Sequence, residues 1–303
     1  PQALGGWQLH AEVTGFADQV VDTDEEALDA IRRFLAYLPG HHNEAPPVAS
    51  VPAGSGSRMA DVLRHLPASR TQVYDMRKVV RDIVDEGSFF ELKPRFGKVA
   101  VTGLARLAGR TVGILANNPL YKGAAMDTEA CEKMTSFIVL CDSFNIPLVI
   151  LVDTPGFVIG TEAERRRAPG KIMNMMNALA LTTVPKLSVL IRKSYGQAYL
   201  NMGGGKNSDE FAAWPTAEVS FMDPAFAVKI VHGVGAEDPR FPGLLAAMNR
   251  DNEVWDIAAI HAVQSVIRPE ETRDYLVRML EGHRLRLTNA VGQHLMRGWP
   301  TSY

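Results

Sequence analysis

Cysteine is almost missing from this chain, with only Cys131 and Cys141 among 303 residues. The two fall ten positions apart in one predicted helix, too far along it for a disulfide. That excludes a disulfide framework and fits a reducing, cytoplasmic setting. No apolar run approaches the roughly 20 residues that span a bilayer, and no basic-apolar leader opens the sequence, so no membrane association is expected. Charge of one sign is lacking too: 32 Lys and Arg face 34 Asp and Glu, for a net charge of −2. Nothing in that balance argues for nucleic acid or an acidic lipid surface as partner. HExxH, CxxC and a Rossmann glycine triplet after a strand are all absent, so no metal set is predicted. Neither a spaced carboxylate pair for glycoside hydrolysis nor a Ser-His-Asp arrangement can be read.

At 46% hydrophobic and 22% charged residues, the composition suits one large globular domain or two modest ones. The informative stretch runs from Pro147 to Gly205. PLVILVDTPGFVIG reads as a buried strand ending at Asp153, followed by a Pro-Gly turn and an Arg-rich loop (Arg165, Arg166, Arg167). A helix from Lys171 to Leu181 precedes a second apolar strand, Leu187 to Ile191, which enters a turn at Ser194-Tyr195-Gly196 and opens another helix. Short β-branched runs bounded by Pro and Gly favour buried parallel strands with crossover helices, an α/β architecture. Chemistry in such sheets sits where strands end, here Thr154 to Phe157 and Ser194 to Leu200. The first N–H groups of a helix have no intrahelical partner. With Gly196 allowing close approach, the amides of Gln197 and Ala198 can point at one oxygen, as an oxyanion hole does. Spacing alone favours a plain helix cap, which is what most such turns in α/β proteins are.

Elsewhere the pattern is mostly structural. A loop or strand opens the chain, and an acidic signal, Asp22 to Glu26, then precedes an amphipathic helix from Ala27 to Tyr37, whose apolar face needs a partner surface. PGHHNEAPPVASVPAGSGSR reads as linker, with His41 and His42 exposed rather than metal ligands. YDMRKVVRDIVDEG puts Met76, Val79, Val80 and Ile83 on one helical face, with Gly87 as the stop. KVAVTGLARLAGRTVGILANNP reads as two strands around a turn at Ala108-Gly109. MDTEACEKMTSFIVLCDSF is a helix capped by Asp127 or Thr128, with Lys133 either solvated or in contact with substrate. GGGK, Gly203 to Lys206, lacks the first Gly and the Ser or Thr of a phosphate loop and reads as structural.

VDTPGFVIGTEAE, VPKLSVLIRKSYGQAY and AAWPTAEVSFM resemble the C-terminal half of the carboxyltransferase (β) subunit of biotin-dependent acyl-CoA carboxylases of the propionyl-CoA carboxylase type, and of their decarboxylase relatives. The likeness runs from about Leu4 to Met296. It implies a crotonase-like (ClpP/crotonase) ββα superhelix. Residues 1–38 then correspond to the tail of an N-terminal carboxyltransferase half, 39–70 to the inter-domain linker, and 71–303 to the C-terminal carboxyltransferase domain. The segment from Ile267 to Arg273 is like the family's closing P-x-x-T-R helix, which packs across a subunit interface there; core packing of Tyr275, Leu276 and Met279 is the alternative.

The resemblance also implies a mechanism. In the family, carboxybiotin on a carrier protein releases CO₂, the freed ureido anion takes the α-proton of an acyl-CoA, and the enolate attacks CO₂. This chain would supply the carboxybiotin half of the site. Gly196, Gln197 and Ala198 would form the oxyanion hole on the biotin side. Pro155, Gly156, Phe157, Tyr195 and Leu200 would line the substrate. Relatives commonly show Tyr-Gly-Gly-Ala-Tyr where this chain has Gln197, which demands more space and an allowed φ. The Arg cluster would meet a CoA phosphate or the carboxylate of carboxybiotin, or be a solvated charge cluster. Implied partners are an acyl-CoA, a biotin carboxyl carrier protein, a biotin carboxylase, a separate N-terminal carboxyltransferase half, and further copies of the chain, dimer-based and up to a hexamer. A biotin-dependent carboxyacyl-CoA decarboxylase subunit and a non-catalytic structural homologue are the competing expectations.

Overall fold

The frame of the molecule is an eight-stranded sheet. It is seen in a computed structural model that describes residues 2–250, 252–288 and 291–296. In chain order the strands are β1 (Phe90–Leu92), β2 (Ala100–Leu107), β3 (Arg110–Asn117), β4 (Leu148–Thr154), β5 (Lys186–Tyr195), β6 (Glu210–Ala213), β7 (Glu218–Ser220) and β8 (Ser265–Val266). The sheet order is β1-β2-β3-β4-β5-β6-β8, with β7 pairing only with the end of β5. β1, β2 and β3 are antiparallel neighbours, and every pairing from β3–β4 onward is parallel. The β2–β3 connection is the expected two-residue turn. Ala108 and Gly109 both take positive φ, 50° and 79°, as a hairpin of matching twist requires.

Two apolar layers cover this sheet, which explains the unbroken hydrophobicity of the central strands. Along β4, Leu148, Ile150 and Val152 join one core, while Val149 and Leu151 join the other. β5 divides the same way, with Leu190 on the first side and Leu187, Val189 and Ile191 on the second. Alternate side chains of a strand point to opposite faces, so a strand buried on both must be apolar throughout.

The helices Thr128–Ser143 and Ala168–Leu181 fill the first side. Asp127 caps the former by accepting from the Ala130 amide at 2.9 Å. Cys131 and Cys141 are buried free thiols in it, and burial pushes Cys131 up to about 12. The second side holds the helices Met76–Ile83 and Thr272–Gly282. Met76, Val79, Val80 and Ile83 are all buried, as their spacing predicts. That helix stops at Val84, before Gly87. Tyr275 and Leu276 lie in the second core with Met279 against it, and Trp214 reaches across to donate to Thr272 Oγ1 at 2.8 Å.

Four local expectations need correction. Residues before the first long helix contain a short helix, Gln2–Gly5, and a π-helical turn, Leu9–Val13, where a loop or strand was expected. That long helix is Asp24–Leu35, started by a reciprocal Thr23/Glu26 capping box rather than at Ala27. Its Ala30 and Phe34 pack on the first core, while Leu28, Ile31 and Leu35 stay exposed. The segment expected as linker is packed from Met59 onward, because the 3₁₀ helix Met59–His65 drives Met59 and Val62 into the second core. Lys133 is no solvated helix-face residue. It is 1% exposed, and its ammonium donates to the carbonyls of Lys93, Phe96 and Ala100 at 2.8, 3.1 and 2.8 Å.

Candidate active site

The C-terminal ends of β4 and β5 carry the two turns singled out in the sequence. β4 closes on Asp153, which is fully buried and occupied by structure. It accepts from Tyr74 Oη at 2.9 Å, from Arg192 Nε at 2.8 Å and from the Lys193 amide at 3.2 Å. Burial and this carboxylate together hold the Tyr74 phenol well above its ordinary pKa. After Thr154 the turn Pro155-Gly156-Phe157 is pinned at both ends. Thr154 Oγ1 donates to the Ala124 carbonyl at 2.9 Å, the Met126 amide to the Gly156 carbonyl at 2.9 Å, and the Val158 amide to the Met126 carbonyl at 2.8 Å.

β5 is longer than predicted. Beyond Ile191 it continues through Ser194 and Tyr195, because Lys193–Tyr195 gain a parallel partner in β7 and Thr154 pairs with Ser194 across a bulge. The turn then falls on Gly196 alone, whose amide donates to the Ser220 carbonyl at 2.9 Å. Its φ of 57° and ψ of −142° belong to a region that side-chain-bearing residues rarely enter. The helix Gln197–Asn201 follows immediately. The Gln197 and Ala198 amides are its first two, outside the intrahelical ladder, and neither has another acceptor among the described residues. Since Gln197 itself is helical, its side chain meets no backbone strain. It is exposed, with Nε2 3.6 Å from Met173 Sδ.

These two turns sit side by side. A Cβ built on Gly156, whose φ is 123°, would lie 3.8 Å from the Tyr195 carbonyl and touch nothing else within 4 Å. Pro155, Gly156, Phe157, Gly196, Gln197 and Ala198 are thereby brought to one edge of the sheet. Leu200 is half-exposed one turn further on, against the Gly205 backbone. The Gly203–Gly205 run packs on Ser188, Tyr199 and Leu200, the structural role expected of it.

Tyr195 departs from the expectation that it lines the substrate. It is 1% exposed, since strand alternation turns its ring inward once β5 extends this far. Its hydroxyl meets Arg70 and Glu218 instead. Burial first, then the Glu218 charge, push the phenol far above its usual range. Burial likewise raises the Glu218 carboxyl, against the pull of Arg70. Arg70, Glu218 and Asn249 drew no attention in the sequence, because no short-range spacing links them.

Of the Arg cluster, Arg166 is already committed, to Glu129 and to Glu162 at 3.0 Å. These charges rim a pocket of about 360 Å³ whose walls include Met126, Phe157 and Ile172. Arg165 and Arg167 are exposed.

Comparison with known proteins gives the family. A family model described as carboxyl transferase domain matches residues 1–290. Propionyl-CoA carboxylase, carboxyltransferase subunit, of Haloferax mediterranei is 38% identical over 292 residues, covering 93% of this chain and 56% of the relative. Methylmalonyl-CoA decarboxylase subunit alpha of Propionigenium modestum is 32% identical over 296 residues, with coverages of 94% and 57%. Among solved structures, transcarboxylase 12S superposes with a TM-score of 0.87 at 32% identity, covering 93% of this chain and 56% of that one. That structure is a hexamer assembly with methylmalonyl-coenzyme A and methylmalonic acid bound. The chain spans about half the length of the relatives it matches. With its crotonase-like α/β fold and a family match over nearly its whole length, this chain belongs to the carboxyl transferase domain family.

Proposed function

We propose that this chain supplies the carboxybiotin-binding half of an acyl-CoA carboxyltransferase site. The observation that carries the reading is the juxtaposition of the Gly156 and Gly196 turns, with the Gln197 and Ala198 amides unengaged beside them. Two glycines at adjoining turns leave backbone, not side chain, facing an incoming group, and that suits the planar ureido ring of biotin. Carboxybiotin, held at the Gln197 and Ala198 amides, would supply the carboxyl group for the acyl α-carbon and would take up the α-proton in exchange.

The chain's own contribution is electrostatic. The two amides hold the ureido oxygen, where negative charge develops, and a helix start favours that charge. Gly156 and Phe157 form the neighbouring wall, and Leu200 offers an apolar surface that favours an apolar acyl group. No side-chain acid or base is called for, in keeping with Asp153 and Glu218 being tied to arginines. On this reading residues 71–303 are the C-terminal carboxyltransferase domain, 39–70 the connection and 1–38 the tail of the N-terminal half. Its partners are an acyl-CoA, a biotin carboxyl carrier protein with its biotin carboxylase, an N-terminal carboxyltransferase half, and other copies of the chain. Among the described residues, no helix is long and apolar enough to cross a membrane. The likeness to the methylmalonyl-CoA decarboxylase subunit favours a second reading, the same site run in reverse.

Biotin-dependent loss of malonyl-, methylmalonyl- or longer carboxyacyl-CoA tests the proposal, first with this chain and then with the polypeptide that co-purifies with it. Activity only with the partner identifies a site split between two chains. Silence in both, without CoA or biotin binding, overturns the enzyme reading. In the active form, Gly196→Ala is expected to lower turnover about 100-fold. An alanine at that φ is strained, and its Cβ lies 3.1 Å from the Phe221 carbonyl, so the two amides shift. A Gly196→Ala enzyme with normal turnover would remove this turn from the mechanism.

A further inference from the structure

Arg70 closes the segment that reads as linker, yet it is tied to the underside of the candidate site. Its guanidinium donates to the Tyr195 hydroxyl, donates to Asn249 Oδ1 at 3.0 Å and pairs with Glu218 Oε1 at 3.0 Å. The attachment is reciprocal. Lys193 Nζ donates to the Arg70 carbonyl at 3.3 Å, and Arg192 donates to the carbonyls of Ser69 at 3.4 Å and Gln72 at 3.3 Å. One side chain thus grips both strands that meet at Gly196: β5 through Tyr195, the residue just before it, and β7 through Glu218, two residues ahead of the Ser220 carbonyl that accepts the Gly196 amide.

From this arrangement we propose that Arg70 is a positioning residue for the turn that presents the Gln197 and Ala198 amides. The inference rests on the function proposed above. Tyr195 is the last strand residue before the turn, so the depth of its ring sets where the next peptide begins. The planar fork of a guanidinium serves three acceptors in fixed directions, which a lysine ammonium on a flexible stem cannot reproduce. Glu218, half-buried next to a phenol, would lose its ion-pair partner without it. A cavity of about 470 Å³, lined by Arg70, Glu218, Asn249, Glu253 and Trp255, opens onto the guanidinium and gives a small cation a path to the same place.

The test uses the active form of the protein, with its partner if one is needed. Arg70→Ala is expected to lower kcat for biotin-dependent transfer about tenfold, as a small misplacement of catalytic groups does, with the KM for the carboxyacyl-CoA unchanged. Ethylguanidinium is expected to restore part of the lost rate. Hydrogen exchange supplies a readout independent of activity: protection across residues 193–201 falls in Arg70→Ala while that of β2 and β3 holds. Should Arg70→Ala not fold, Arg70→Lys is read by the same criteria, with a smaller loss expected. If the parent protein shows no transfer at all, the proposed function fails and exchange alone decides the positioning role. Parental protection at 193–201 in a folded variant, or a parental kcat in an active one, overturns the proposal.

Discussion

Replacing Arg273 by alanine is expected to remove about 3–5 kcal/mol of folding stability, the usual result of stripping one partner from a buried ion pair. Arg273 is 9% exposed and Asp85 fully buried. Besides pairing with Asp85, Arg273 donates through Nη1 to the Ile83 carbonyl at 2.6 Å. Asp85 in turn accepts from the Ala108 and Gly109 amides at 3.0 and 2.7 Å, holding the β2–β3 turn. Without the guanidinium, that carboxylate keeps two amide donors but loses its only ion-pair partner among the described residues, in a place water does not reach. Gly56 lies over the aliphatic stem, where a Cβ would come within 2.8 Å of Arg273 Cδ, so the segment above would also lose its floor. Urea unfolding of Arg273→Ala beside Arg268→Ala makes the comparison. Arg268 pairs with Glu271 in the open, and its loss leaves the midpoint unmoved. Equal midpoints for the two variants would show that Asp85 does not depend on its partner.

Lys133→Met carries the second large effect, a loss of about 3 kcal/mol or more. Methionine keeps most of the side-chain volume, so little cavity forms, but the carbonyls of Lys93, Phe96 and Ala100 lose their shared donor. The Lys93 carbonyl still accepts from the Phe96 amide at 3.2 Å, but each of the other two, if left unpaired, costs about 1–3 kcal/mol. Relief from burying a charge offsets part of the sum. The same burial, aided by the positive charges of Lys93 and Arg77 and opposed by Glu91, pulls the Lys133 ammonium down from 10.5 to about 8. The sign of the pH effect follows. Between about pH 8 and 10.5 the unfolded chain binds more protons at this residue than the folded one, so stability attributable to Lys133 rises with pH across that window. Lys186 and Lys193, also lowered by burial, add a rise of the same sign. Urea unfolding of parent and variant across this range should show a shallower rise in Lys133→Met. Parallel profiles would mean that Lys133 is hydrated, and its role as a strut would be lost.

Local chemistry made much of this fold legible in advance. β4 and β5 were visible as apolar runs because both faces of each strand are covered. The β2–β3 turn was visible because Gly109 suits a positive φ between two apolar runs, while the hairpin imposes the positive φ of Ala108. The Met76–Ile83 face and the Asp127 cap follow from helical period and N-cap chemistry, both contained within a few residues. The family likeness rested on the same stretches. The two turns of the proposed site could also be picked out, since strand ends and helix starts announce themselves in sequence.

What the sequence by itself determined, then, was the central strands and helices, the α/β class and the two turns on which the proposed site is built. Tertiary structure alone decided which groups meet. Parallel pairing of Thr154 with Ser194 sets the Gly156 turn against Tyr195, and β7, arriving from residues 218–220, lengthens β5 and turns the Tyr195 ring inward. Lys133 is a strut because carbonyls 33 to 40 residues upstream converge on it, and Arg70 reaches Tyr195 across 125 positions. Periodicity and capping act over one or two turns of chain, whereas neutralising a buried charge or filling an orphaned acceptor depends on whichever residue the fold delivers there, from any distance along the sequence.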